Sequence, residues 1–253
     1  METHRSLRSA GGGAGSARRW KTVQRAETSQ KPRVRYDVHG CPKPLMRGWI
    51  HAVAAPIALI GCIVAICRAP SSGLKAACSV YLACSLCLFG NSATYHLGDW
   101  SPKITDILRR IDHANIFLLI AGTYTPVAFA LSAWWRNFII ASMWSATVAA
   151  LIVTVVWISA PRWLSTAVYV VYGVYGVAFT SLFWISPCDG HAVTALILTG
   201  GAIYIAGAVV YATRKPDPWP RVFGFHEIFH TCTALAYACH MVAVFLILTS
   251  VRT

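Results

Sequence analysis

At 253 residues, 56% of them hydrophobic and only 12% charged, the chain is far more apolar than an ordinary soluble domain. Its net charge of +13 is uneven, since residues 1–47 hold eleven of the twenty-two lysines and arginines. These figures exclude a polar-surfaced soluble enzyme. The nine cysteines imply no disulfide framework, because Cys62, Cys67, Cys78, Cys84, Cys87, Cys232 and Cys239 lie within apolar stretches and only Cys41 and Cys188 fall outside them.

Residues 1–44 are basic and rich in Gly, Ser and Ala, as in Gly11-Gly12-Gly13, and contain no apolar run. No hydrophobic region follows the charged start, so a secretory signal peptide is not indicated. The expectation is a disordered cytosolic tail resting on anionic lipid headgroups, with no nucleic acid as partner.

Residues 45–253 read as one membrane domain. Seven segments, at about 49–67, 76–97, 111–131, 138–158, 164–186, 192–212 and 225–249, reach the ~17–25 residues that a helix needs to cross a bilayer. Most lack the polar face of a soluble amphipathic helix. The fold class is therefore all-α: a polytopic membrane protein built as a seven-transmembrane helix bundle.

Segment one opens on Arg47-Gly48-Trp49-Ile50-His51, and segment two ends in Ser92-Ala93-Thr94-Tyr95-His96. Segment three starts with Asp112 and His113 and is interrupted by Ala121-Gly122-Thr123-Tyr124-Thr125-Pro126, which predicts close helix approach or a kink. His191 falls in a short loop and reads as surface. Segment seven opens on His226-Glu227-Ile228-Phe229-His230.

The positive-inside rule places the basic tail in the cytosol. An odd number of spans then puts the C-terminus outside the cell membrane. On this topology the inner loops carry seven positive residues (Lys103, Arg109, Arg110, Arg162, Arg214, Lys215 and Arg221) and the outer side four (Arg68, Lys75, Arg136 and Arg252). His51, His96, Asp112, His226 and His230 then all fall at one depth, in the inner leaflet. Ionisable residues are rare inside membranes and usually functional.

His226 and His230 are four residues apart and share a helix face, a spacing suited to one zinc ion. Two ligands are too few for a zinc site, and His96 is the natural third. Ser92 lies one turn before His96, where its hydroxyl either joins the site or back-bonds to a helix carbonyl. Asp112 has two open readings. It completes the site, as a fourth ligand or through a water that it deprotonates, or it pairs with Arg109 or Arg110 at the helix entrance. His240, ten residues past His230, is ~15 Å further along the axis and too distant to share the metal.

Glu227 makes His226–His230 a formal H-E-x-x-H match, the zinc-protease signature. Position 236, where one protease class has a third histidine, is Ala236, and no acidic residue follows Glu227. The motif also opens a membrane span. A protease is disfavoured.

Taken together, Ser92 to His96, Asp112-His113, Ala121 to Pro126 and Phe223-Gly224-Phe225-His226-Glu227-Ile228-Phe229-His230 resemble the hemolysin III family of bacterial membrane proteins. That family is grouped with the progestin and adipoQ receptors (PAQR) and, more distantly, with alkaline ceramidases. The likeness spans about residues 44–249, including Arg47 to His51. It implies a seven-helix fold with an inner-leaflet zinc, His96, His226 and His230 as ligands, Asp112 holding a water and Ser92 beside it. Three functions follow as expectations. The first is a zinc-dependent hydrolase of lipid amides or esters, or a related role in membrane lipid homeostasis. The others are a sensor of membrane state with structural zinc, and the cytolysis that the family name implies.

Overall fold

The computed structural model describes residues 43–156 and 162–251. The tail over 1–44 falls outside these, apart from its last two positions. The apolar stretches form helices α1 (Trp49–Arg68), α2 (Ser72–Leu97), α3 (Pro102–Val127), α4 (Ala133–Val156), α5 (Arg162–Val177), α7 (Gly190–Thr213) and α8 (Phe225–Ser250). A five-residue helix, α6 (Thr180–Trp184), and a 3-10 turn at Ala128–Ala130 complete the set. No strand is present among the described residues.

Local signals set several ends. Ser71 caps α2 by accepting a hydrogen bond from Leu74 N–H at 3.3 Å. Pro102 sits in the first turn of α3, where its missing N–H costs nothing. That start corrects the expected entry at residue 111. The nine preceding residues include Lys103, Asp106, Arg109 and Arg110, whose charges hide the helix from a reading based on apolar run length. The fifth span is also broken. Phe179 N–H bonds to Gly176 O, and the helix yields to a turn before α6.

Among the described residues, five helices, α1, α2, α3 with its 3-10 extension, α7 and α8, are long and apolar enough to cross a membrane. On α1, Val53, Ile57, Ile60 and Val64 form an exposed apolar face at spacings of four, three and four residues. Such a face suits lipid and not water. The bundle is an all-α membrane assembly in which α1 packs on α2, α2 on α3, α3 on α4 and α7 on α8, while α8 also lies against α1 and α3.

Helices α3 and α8 are the inner ones. The apolar window of α3 is 67% buried against 22% for α1. Small residues permit this depth. A Cβ on Gly122 would lie 2.7 Å from the Cys84 Cβ, so the expected close approach at Ala121–Pro126 is met between α2 and α3. Thr123 and Thr125 bond back to Leu119 O and Ala121 O at 2.8 Å, and Trp144 Nε1 donates to Thr125 Oγ1 at 3.1 Å. Asn115 donates to Cys87 O at 2.7 Å, and Thr147 pairs with the Tyr172 hydroxyl at 2.7 Å. In a membrane such interhelical bonds contribute on average ~0.6 kcal/mol each.

Candidate metal centre

The end of α2 meets the start of α8 at one pole of the bundle. His96 lies in the last turn of α2, while His226 and His230 occupy the first two turns of α8. Helix periodicity aims both α8 imidazoles the same way. The His226 and His96 Nε2 atoms are 3.2 Å apart, and one ring nitrogen from each of the three histidines lies within 4.8 Å of the others. Two nitrogens held by one tetrahedral zinc at ~2.0–2.1 Å stand ~3.3 Å apart. The His96–His226 pair already has that spacing. Three imidazoles of this kind form a donor set that could hold zinc or a similar borderline metal.

Asp112 and Ser92 stand beside this group. The Asp112 Oδ2 is 3.9 Å from His96 Nε2, beyond direct hydrogen bonding but within reach through one water. Of the two arginines offered as alternative partners of Asp112, Arg109 pairs with Asp106 at 3.0 Å. Because α3 starts at Pro102, Asp112 lies well inside the helix and not at its entrance. The Ser92 hydroxyl is buried beside the Asp112 carboxylate, and the back-bond seen for Ser85 and Thr94 is not made.

Several supporting residues carry no sequence signal for their role. The His51 ring stacks on His230 with centroids 3.9 Å apart and planes at 19°, and meets Phe89 edge-on. Gly48 precedes α1 at φ +86, and a Cβ there would lie 2.9 Å from the His96 Cβ. Only glycine combines that dihedral with that closeness. Just before it, Leu45 and Met46 N–H groups bond to Arg221 O and Val222 O at 3.0 and 3.1 Å. The entry to α1 is thereby clasped to the loop that leads into α8.

That clasp carries the Glu227 of the formal protease motif. Glu227 is 1% exposed; one carboxylate oxygen pairs with Arg47, and the other accepts from Gly224 N–H at 2.8 Å. It caps α8 from the third helical position and neutralises Arg47. The sequence signal was present: an acid three residues after Gly224 is half of a capping box. Asp217 adds a second cap on Phe225 N–H at 3.0 Å.

An elongated cavity of about 130 Å³ leads away from the cluster. Ser92, Asp112, His226 and His230 line its head, and His240 lines it much further along α8. Its walls between are largely apolar, among them Ile116, Ile120, Val177 and Ile205. His240 is separate from the cluster, its Nε2 3.4 Å from Ile197 O. His113 also lines the cavity, whereas His191 is exposed and stacks on Trp184 at 4.1 Å. Cys84 and Cys87 are free thiols.

The chain is 27% identical over 187 residues to Hemolysin-3 of Bacillus cereus, covering 71% of this chain and 80% of that protein. It is 30% identical over 131 residues to the Hemolysin-3 homolog of Bacillus subtilis (strain 168), covering 51% and 57%. Similarity also extends to the Adiponectin receptor protein of Drosophila melanogaster, 27% identical over 213 residues and covering 76% and 48%. The chain thus spans about half the length of the latter two relatives. The family model described as haemolysin-III related matches residues 39–241, from the clasp before α1 to well into α8. This chain belongs to the haemolysin-III related family of multi-pass membrane proteins, to which the adiponectin-receptor-like heptahelical proteins are kin.

Proposed function

We propose that this protein is a zinc-dependent hydrolase of a lipid amide or ester, acting inside the membrane. The observation that carries this reading is a group of three convergent imidazoles with a carboxylate and a buried hydroxyl beside it, where His226, His230, Asp112 and Ser92 line the head of a largely apolar cavity. His96, His226 and His230 would hold the zinc. When bound, such an ion supplies Lewis acidity that polarises a carbonyl and eases proton loss from water.

The remaining work falls to the chain's own groups. Asp112, one water away from His96, takes the proton of the attacking water and returns it to the leaving amine or alcohol. Ser92 orients that water through its hydroxyl but cannot hold its proton. The apolar walls receive the hydrocarbon part of the lipid and exclude bulk water. Arg47 and Glu227 keep the first turn of α8 in place, and with it His226 and His230. A purely structural zinc would need neither Asp112 nor the Ser92 hydroxyl beside it.

The same reading sets the N-terminus in the cytosol, the C-terminus outside and the site in the inner leaflet of the cell membrane. It is supported by the bias of seven positive residues on the inner loops over four on the outer side. The basic tail then rests on anionic headgroups. Reporter fusions at Thr253 and near Lys215 are expected on opposite sides; finding both on one side overturns the topology. Function is tested by lipid analysis of cells expressing wild type or Asp112→Asn. A lipid class consumed by wild type and spared by the variant is expected. A cellular effect that survives Asp112→Asn but disappears on zinc removal sinks the hydrolase and leaves the sensor of membrane state.

A further inference from the structure

The far end of the cavity holds two polar atoms that the protein leaves unsatisfied. His240 lies ten residues beyond His230 on α8, ~15 Å along the helix axis. Tyr204 approaches it from α7, with ring centroids 5.7 Å apart. Both residues line the cavity that begins at the histidine cluster, and His240 is only 7% exposed. Its Nε2 faces Ile197 O at 3.4 Å. A carbonyl only accepts, so the neutral imidazole carries its proton on Nε2 and offers Nδ1 as a bare acceptor. That Nδ1 and the Tyr204 hydroxyl oxygen are both buried without a hydrogen-bond partner. Buried polar atoms in folded proteins are seldom left so, and two together invite a ligand.

Space for one is built in. Gly173 of α5 and Gly201 of α7 both line the cavity, and a Cβ added at either would meet nothing within 4 Å. The chemistry of the pair is selective. A methylene satisfies neither atom. A carbonyl oxygen accepts from Tyr204 but leaves Nδ1 bare. A hydroxyl can accept from Tyr204 and donate to His240.

We propose that Tyr204 and His240 form a second polar station in this cavity, which takes a hydroxyl borne in the body of a lipid chain whose head lies at the His96–His226–His230 cluster. The station rests on the reading that a lipid chain occupies the cavity, and not on that chain being hydrolysed.

The test uses the full chain in lipid nanodiscs, with octadecanoic acid and the same acid carrying a hydroxyl two-thirds of the way along as probes. Each is measured by displacement of a fluorescent fatty acid. The hydroxylated acid is expected to bind about fivefold more tightly, the worth of one net hydrogen bond. Tyr204→Phe and His240→Leu should each bring that ratio close to one while changing the affinity for octadecanoic acid little. Gly201→Leu, which fills the space, should weaken both acids. Asp112→Asn should keep the preference, since it acts at the other end. Equal binding of both acids to wild type, as when the two atoms merely hold a water, overturns the station and leaves the lipid cavity standing. A preference that survives both Tyr204→Phe and His240→Leu overturns it too. Binding of neither acid overturns the lipid cavity and the station together. A preference without turnover of any lipid sinks the hydrolase and supports the station.

Discussion

Helix α8 presents histidines to both ends of one cavity, and the two ends treat them differently. His230 and His240 are almost equally buried, at 3% and 7% exposed. His230 belongs to a group of three imidazoles with a fourth ring, His51, stacked behind it. His240 has one carbonyl and one tyrosine ring for company. Burial alone therefore does not make a candidate metal site. Convergence does, and it occurs at the pole where the ends of α2 and α8 and the early turns of α3 bring their polar residues to one depth.

Two carboxylates beside that cluster make the same point. Glu227 is adjacent in sequence to His226, yet Arg47 and Gly224 N–H engage both its oxygens. Asp112 is over a hundred residues from His226, yet its carboxylate stands 3.9 Å from a ring nitrogen of the cluster. Chemical adjacency here is set by helix packing and not by the motif.

The largest expected effect would break the contrast between the two ends of α8. Purified wild type should hold about one zinc per chain, and His226→Ala/His230→Ala should hold none by elemental analysis, because two of three ligands are gone. His240→Ala should retain it. Full retention in the double variant would remove the metal reading altogether.

Next in size is the contrast between the carboxylates. Asp112→Asn should lower turnover of the lipid substrate by ~10² or more, with zinc content and folding kept, since an amide cannot take a proton at neutral pH. Ser92→Ala should cost less.

Removing the partner of Glu227 should instead cost stability. Arg47→Met leaves a buried carboxylate that has lost its counter-charge and is expected to cost about 3 kcal/mol, read as a lowered Tm in detergent. Adding Glu227→Gln should restore part of that loss. If Glu227 were a catalytic base, Glu227→Gln would abolish turnover with the melting temperature intact; the opposite pattern is expected.

The smallest effect marks the pole remote from the cluster. Ser71→Ala removes the cap of α2 and should cost ~1 kcal/mol in thermal stability, with zinc unaffected. A loss of metal in this variant would mean that the two poles are coupled.

Most of the architecture was legible before any coordinates, for a local reason. A membrane span is announced by the length of its own apolar run, so α1, α2, α7 and α8 read directly. The largest departures, the start of α3 at Pro102 and the break between α5 and α6, fall where that local signal fails. Charged first turns mask a helix, and a turn within an apolar run leaves hydropathy unchanged. The histidine cluster was legible as well. A four-residue repeat fixes a shared face, and alternating spans fix which helix ends share a depth.

By itself, then, the sequence determined the helical membrane class, the positions of most spans and the candidates for convergence, because these depend on composition and spacing along the chain. Only the tertiary structure decided the partners. It joined Arg47 to a carboxylate 180 residues away, laid Gly48 against His96, stacked His51 on His230 and left the Tyr204 hydroxyl and the His240 Nδ1 without hydrogen-bond partners at the far end of the cavity. Each outcome depends on how far one helix is rotated and shifted against another. Rotation and shift arise from packing between helices, and no single segment encodes them.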